Sequence, residues 1–162
     1  MKTATAPTGA VVITREGRGR LTQRLHDLDE TVLPQLREQL WTKDRDWNDD
    51  AALAAALAER HSITAALTVS VDAEAIVDDP DVVEIGDWVT VHDEDGREET
   101  YRIVDPVEAP LDDVRVASTS PFARASLGRR VGEEIEIQPR VGPSFRYVIV
   151  GAWRHELPRE TP

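Results

Sequence analysis

Residues 20–41 read RLTQRLHDLDETVLPQLREQLW, and the spacing of their apolar side chains decides the first half of the fold. Leu21, Leu25, Leu28, Val32, Leu36 and Leu40 recur at intervals of 4, 3, 4, 4 and 4. That is one stripe of a 3.6-residue period, with charged residues on the other faces. The spacing predicts a helix from about Arg15 to Trp41, about 26 residues and about 40 Å long at a rise of about 1.5 Å per residue. Pro34 lies inside it. A proline removes one ladder hydrogen bond and crowds the carbonyl a turn earlier, so a bend is predicted there.

Beyond this helix, Thr42-Lys43-Asp44-Arg45-Asp46-Trp47-Asn48 is polar, shows no apolar period and reads as a turn. Asn48 or Asp49 suits the N-cap of a second helix, and Asp49 and Asp50 suit its positive dipole end. Leu53, Ala56, Leu57, Ile63 and Leu67 carry that helix to about residue 67. Two long helices with narrow stripes, joined by a short turn, make an antiparallel hairpin of coiled-coil type. It reads as a stalk. Trp41 and Trp47 flank its turn, placed either to clasp the hairpin shut or to meet a partner.

After Asp78-Asp79-Pro80 the period drops to two. Ile85, Val89 and Val91 precede the turn His92-Asp93-Glu94-Asp95-Gly96, and Tyr101, Ile103 and Val104 follow it, the pattern of a hairpin. Val114 and Val116 mark a short strand. Ser120-Pro121 opens a brief helix, Phe122 to Leu127, closed by Gly128. Ile135 and Ile137 mark another strand, Val141-Gly142-Pro143 a turn, and Phe145, Tyr147, Ile149 and Trp153 a last strand. The expected architecture is α+β: a helical hairpin over residues 1–77, then a curled antiparallel sheet with one short helix over 78–162. Pro80 and the Asp78-Asp79 pair suggest a defined joint between them.

Composition narrows the function classes. Of 162 residues, 31 are acidic and 19 basic, a formal charge of -12, which argues against direct binding to DNA phosphates. Residues 41–80 are the most acidic stretch, with nine acids against three bases. There is no cysteine, hence no disulfide, thiolate zinc site or Cys nucleophile. The start lacks the apolar core of a signal peptide and no apolar run approaches 18 residues, so a cytoplasmic protein without membrane association is expected. His26, His61, His92 and His155 are scattered, and none is assigned to a metal. Arg15, Arg18, Arg20 and Arg24 read as a solvated helix face rather than a nucleic-acid patch. Ser120 lacks any nucleophile-elbow context and reads as a helix cap.

The second half contains Ile85-Gly86-Asp87-Trp88-Val89-Thr90-Val91, Thr100-Tyr101-Arg102-Ile103-Val104, Ser120-Pro121-Phe122-Ala123-Arg124-Ala125-Ser126-Leu127-Gly128 and Val131-Gly132-Glu133-Glu134. This series resembles the C-terminal domain of the bacterial GreA/GreB transcription factors, and the helical hairpin ahead of it fits the same family, from about Thr14 to His155. The resemblance implies an FKBP-like second domain that docks on the secondary-channel rim of RNA polymerase. Thr119, Ser120 and Pro121 are the implied rim contacts. It also implies that the hairpin tip reaches toward the polymerase-bound magnesium, the protein needing no cofactor of its own. A monomer is expected.

Cleavage factors of that family carry Asp-x-x-Glu followed by Asn in the tip, acids suited to helping hold a second magnesium for phosphodiester hydrolysis. With that Asn on Asn48, the first acid falls on Asp44 and the second on Trp47, whose indole binds no metal. Asp46, Asp49 and Asp50 lie close by, yet a shift of about 1 Å in a catalytic group can cost about a hundredfold in rate. The expectation is a polymerase-binding regulator that inhibits transcription without efficient cleavage and is not itself an enzyme. The alternative is a transcript-cleavage factor that rescues backtracked polymerase. A third reading, a prolyl isomerase or small-ligand binder, is disfavoured. Its pocket would need several aromatics, and Trp88, Tyr101, Phe122, Phe145, Tyr147 and Trp153 must also supply the core.

Overall fold

The computed structural model describes residues 10–41 and 47–154. A short strand, β1 (Val11–Ile13), leads into helix α1 (Arg15–Asp27), a π-helical segment (Leu28–Val32) and helix α2 (Leu33–Gln39). The π segment sits immediately ahead of Pro34. The Leu33 N–H donates to the Leu28 carbonyl five residues back, and Pro34 has no N–H to donate, so the ladder widens where it must skip a bond. The expected bend is thus realised as a π turn, with a consequence for the stripe. Leu21, Leu28 and Leu33 are the buried leucines, while Val32 and Leu36 are only half-buried. One residue is absorbed at the wide turn, so the unbroken 4-residue spacing expected from Leu28 onward is corrected.

Helix α3 (Trp47–Val69) begins one residue before the expected caps, which places Asn48 and Asp49 inside its first turn. Its buried residues are Ala56, Ile63 and Ala66, a seam at spacings of seven and three in which small alanines allow close approach. Leu57, expected in the stripe, remains 41% exposed. The helices pair antiparallel. Arg18 bonds the Ser70 hydroxyl at 2.9 Å, Arg24 bonds both Glu59 oxygens at 2.7 and 2.9 Å, and Arg60 bonds Asp29. The arginines read as a solvated face therefore include two, Arg18 and Arg24, that tie the hairpin together. Among the described residues, no helix is long and apolar enough to cross a membrane.

The chain divides into two compact units, one of Glu16–Ser70 and one made of the segment up to Arg15 together with the chain from Val71. The sheet unit therefore begins earlier than the expected boundary at 77/78 and also claims the residues before α1. Two features account for this. Strand β2 (Ser70–Asp72) pairs with β1 in a two-stranded sheet, and the N–H and hydroxyl of Thr14 both donate to the buried carboxylate of Glu108.

The larger sheet contains β3 (Trp88–Asp93), β4 (Glu98–Val104), β5 (Arg115–Ala117), β6 (Glu134–Ile137) and β7 (Phe145–Trp153), in the order β5-β4-β3-β7-β6. β3 and β4 form the expected hairpin. In its turn Gly96 takes φ 78°, and the Asp93 carboxylate accepts from the N–H groups of Asp95 and Arg97. β4 and β5 run parallel, so the sheet is mixed rather than all antiparallel. The segment joining them, with its single 3₁₀ turn Ala109–Leu111, returns the chain to the same end of the sheet, which a tight hairpin cannot do.

Val83, Val89, Val91, Ile103, Ala123, Ile135 and Ile149 form the core under one face, and helix α4 (Pro121–Ser126) contributes Ala123. Tyr101 meets Phe122 edge-on at 5.2 Å and 63°, and Phe122 and Tyr147 pack on the core. Three of the six aromatic rings of this half are thus committed to packing.

Candidate functional site

The described part of the hairpin end consists of Trp41 and the first turn of α3. Trp41 follows α2, and its N–H donates to the Glu38 carbonyl at 3.1 Å. It is 90% exposed, and Trp47 is 79% exposed, so neither indole is buried in a clasp. Trp47, Asn48 and Asp50 are exposed and Asp49 is half-buried. Asp49 and Asp50 stand in the first turn of a 23-residue helix, where its N–H dipoles favour negative charge. Asp44 and Asp46 lie outside the described residues.

The second predicted site, Thr119-Ser120-Pro121, is a hydrogen-bonded corner. β5 delivers the chain to it, the Ser118 N–H reaching the Val104 carbonyl at 2.7 Å and the Ser120 N–H the Ala117 carbonyl at 2.8 Å. Ser120 is the N-cap of α4. Its backbone is extended (φ -66°, ψ 156°), its hydroxyl accepts from the Ala123 N–H at 3.1 Å, and Pro121 follows at the first helical position. Below, Ser126 donates to the Phe122 carbonyl at 2.8 Å, and the Gly128 N–H ties the end of the helix to the Val83 carbonyl at 2.9 Å. Thr119 and Pro121 are exposed and Ser120 is half-buried. The corner presents two side chains from a fixed backbone, and the Ser120 hydroxyl is engaged as a cap.

A third cluster was not anticipated. Arg154, its side chain only 1% exposed, reaches Asp87 at 2.9 Å, Glu84 at 2.7 Å and Asp78 at 3.5 Å. It also donates to the carbonyls of Ala73 and Ile76 at 3.3 and 3.2 Å. The three carboxylates bring oxygens within 4.8 Å of one another, the spacing of a metal site. The guanidinium of Arg154 occupies the space between them, bonding Asp87 and Glu84 and lying 3.5 Å from Asp78, so one positive charge offsets part of the charge of three carboxylates. Burial pushes the Asp87 carboxyl up to about 6, against the opposing pull of the Glu84 N–H and Arg154. The surrounding acids hold the Arg154 guanidinium above its usual range despite its burial.

Beside it, Arg102 donates to the Gly86 carbonyl at 3.1 Å and to Glu74 at 3.3 Å, and lies 5.4 Å over the ring of Trp88. Glu74 also accepts from the Arg15 N–H at 2.8 Å. Burial raises the Glu108 carboxyl, its bonds from Thr14 opposing the shift. These charges anchor the segments that flank the helical residues to the sheet unit. Arg154 and Asp87 are 67 positions apart, and no spacing in the chain announces their pairing.

Residues 78–154 match the family model described as "Transcription elongation factor, GreA/GreB, C-term". The transcription elongation factor GreB of Pseudomonas aeruginosa is 31% identical over 150 residues, covering 87% of this chain and 89% of its own. The transcription elongation factor GreA of Thermotoga neapolitana is 30% identical over 149 residues, covering 86% and 95%. Among solved structures, the GreA factor homolog 1 (Gfh1) protein of Thermus thermophilus is 26% identical, covering 89% and 99%, at a TM-score of 0.41. Similarity at this identity, sustained along nearly the full length of both curated relatives, makes this chain a member of the GreA/GreB family of transcription elongation factors.

Proposed function

We propose that this protein binds RNA polymerase, inserts the end of its hairpin into the secondary channel and inhibits transcription without efficient RNA cleavage. Family membership supports polymerase as the partner. Thr119, Ser120 and Pro121 dock on the channel rim, as the resemblance implies, and the FKBP-like character of residues 78–162 belongs to the same proposal. The protein acts in the cytoplasm as a monomer, with no cofactor of its own and close to the polymerase-bound magnesium. It is not itself an enzyme. The observation that carries the non-cleaving reading is Trp47. Where the family's cleavage factors carry their second acid, this chain starts a helix with an exposed indole. An indole offers no lone pair to a hard cation such as magnesium.

The second reading, a cleavage factor, draws on Asp49 and Asp50 in the turn beside that indole. A backtracked elongation complex incubated with magnesium and the protein separates the two. The proposal expects no shortened RNA, slowed extension, and suppression of cleavage when an authentic cleavage factor is added. RNA shortened by this protein alone, and lost with Asp44→Asn, would establish the second reading instead.

A further inference from the structure

Trp41 and Trp47 are the most exposed aromatic side chains among the described residues, and each has a carboxylate three positions away. Glu38 precedes Trp41, and the Trp41 N–H bond to the Glu38 carbonyl continues the helical turn between them. Asp50 follows Trp47 within the first turn of α3. Residues three apart on a helical turn face the same side, so each indole shares its side with an acid. Glu38 and Asp50 are both exposed.

An aromatic face attracts a cation, and a carboxylate beside it adds a charge-assisted hydrogen bond. Guanidinium suits both at once, since its plane stacks on the indole while its fork meets the carboxylate. The sheet unit already contains this combination. Arg102 lies over the Trp88 ring at 5.4 Å while bonding Glu74 at 3.3 Å. Charge also selects the partner. Residues 37–50 contain five acids and three bases, an excess that repels the phosphates of a nucleic acid and attracts a basic protein surface.

We propose that Glu38–Trp41 and Trp47–Asp50 are two arginine-binding clamps, and that their ligand is a basic protein surface of the partner which the hairpin end approaches. The clamps rest on the polymerase-binding reading above, and the test separates the two. Nucleic-acid-free core RNA polymerase is titrated with the full-length protein and with Trp41→Ala, Trp47→Ala, Glu38→Gln and Asp50→Asn, helix content being checked by circular dichroism. Each substitution should weaken binding by roughly threefold to tenfold, the range expected of one partly desolvated cation–π contact or charged hydrogen bond.

Wild-type binding that none of the four changes would overturn the clamps and leave polymerase binding standing. On an elongation complex, Asp50→Asn that tightens binding would also overturn them, because a carboxylate that holds an arginine cannot strengthen the contact by losing its charge. If the wild type does not bind polymerase at all, the polymerase reading fails, and hexa-arginine peptide becomes the probe. Quenching of indole fluorescence that Trp41→Ala and Trp47→Ala abolish supports the clamps. An unchanged signal ends them.

Discussion

Arginine and carboxylate do opposite work in the two units. In the helical hairpin, Arg24 pairs with Glu59 at 2.7 Å with both side chains about 40% exposed. In the sheet unit, Arg154 pairs with Asp87 at 2.9 Å with both at 1%. The distances are almost equal and the surroundings are not. Water screens the first pair and solvates either member if the other is lost, so it contributes little. Both members of the second have been stripped of water, a cost recovered only while every partner stays in place. Similar geometry therefore predicts a modest surface tie in one place and an indispensable pin in the other.

The sharpest way to break the comparison is Arg154→Met. It leaves Asp87 buried without its cation and frees the carbonyls of Ala73 and Ile76. A loss of about 3–5 kcal/mol in urea unfolding is expected. A loss under about 1 kcal/mol would show that the cluster behaves like a surface pair.

Next in size is the pH dependence. Asp87 has its folded pKa raised from 3.8 to about 6, so between those values the folded protein holds a proton that the unfolded chain has released. Its contribution to stability is fullest below about pH 4 and is lost as the pH rises through 6. With about 1.4 kcal/mol per unit, the change is about 3 kcal/mol. Urea midpoints of the wild type and of Asp87→Asn across pH 4 to 7 measure it. The wild type should lose stability relative to the variant as the pH rises, and parallel curves would refute the raised pKa.

The smallest expected effect comes from a double-mutant cycle on Arg24→Ala and Glu59→Ala. The coupling should be about 0.2–1 kcal/mol and should shrink in high salt. A larger, salt-insensitive coupling would mean that the hairpin is held by its ion pairs rather than by the seam of Leu21, Leu28, Leu33, Ala56, Ile63 and Ala66.

Much of the fold was legible because it depends on nearest neighbours along the chain. Leucine spacing announced the first helix, alternation announced the strands, Asp95-Gly96 the hairpin turn, and Ser120-Pro121 the capped helix. Where two periodicities competed, the sequence was ambiguous. The 4-residue spacing from Leu28 to Leu40 continues smoothly through Pro34, yet the missing N–H forces a π turn and buries Leu33 in place of Val32. The proposed rim corner was readable as a cap. For the hairpin end, the clasp and the partner contact of Trp41 and Trp47 were equally open in the sequence. Only the exposure of both indoles removes the first.

The sequence by itself determined the order of the two halves, the helical and strand periods, the acidic surplus around the hairpin end and the presence of an indole at position 47. The tertiary structure alone decided which strands pair in parallel, which segments belong to the sheet unit, and that Asp87, Glu84 and Asp78 gather around the buried Arg154. The physical reason is range. Periodicity and capping act over a few residues and are written in local spacing. A buried charge is made tolerable only by partners that folding brings from tens of positions away.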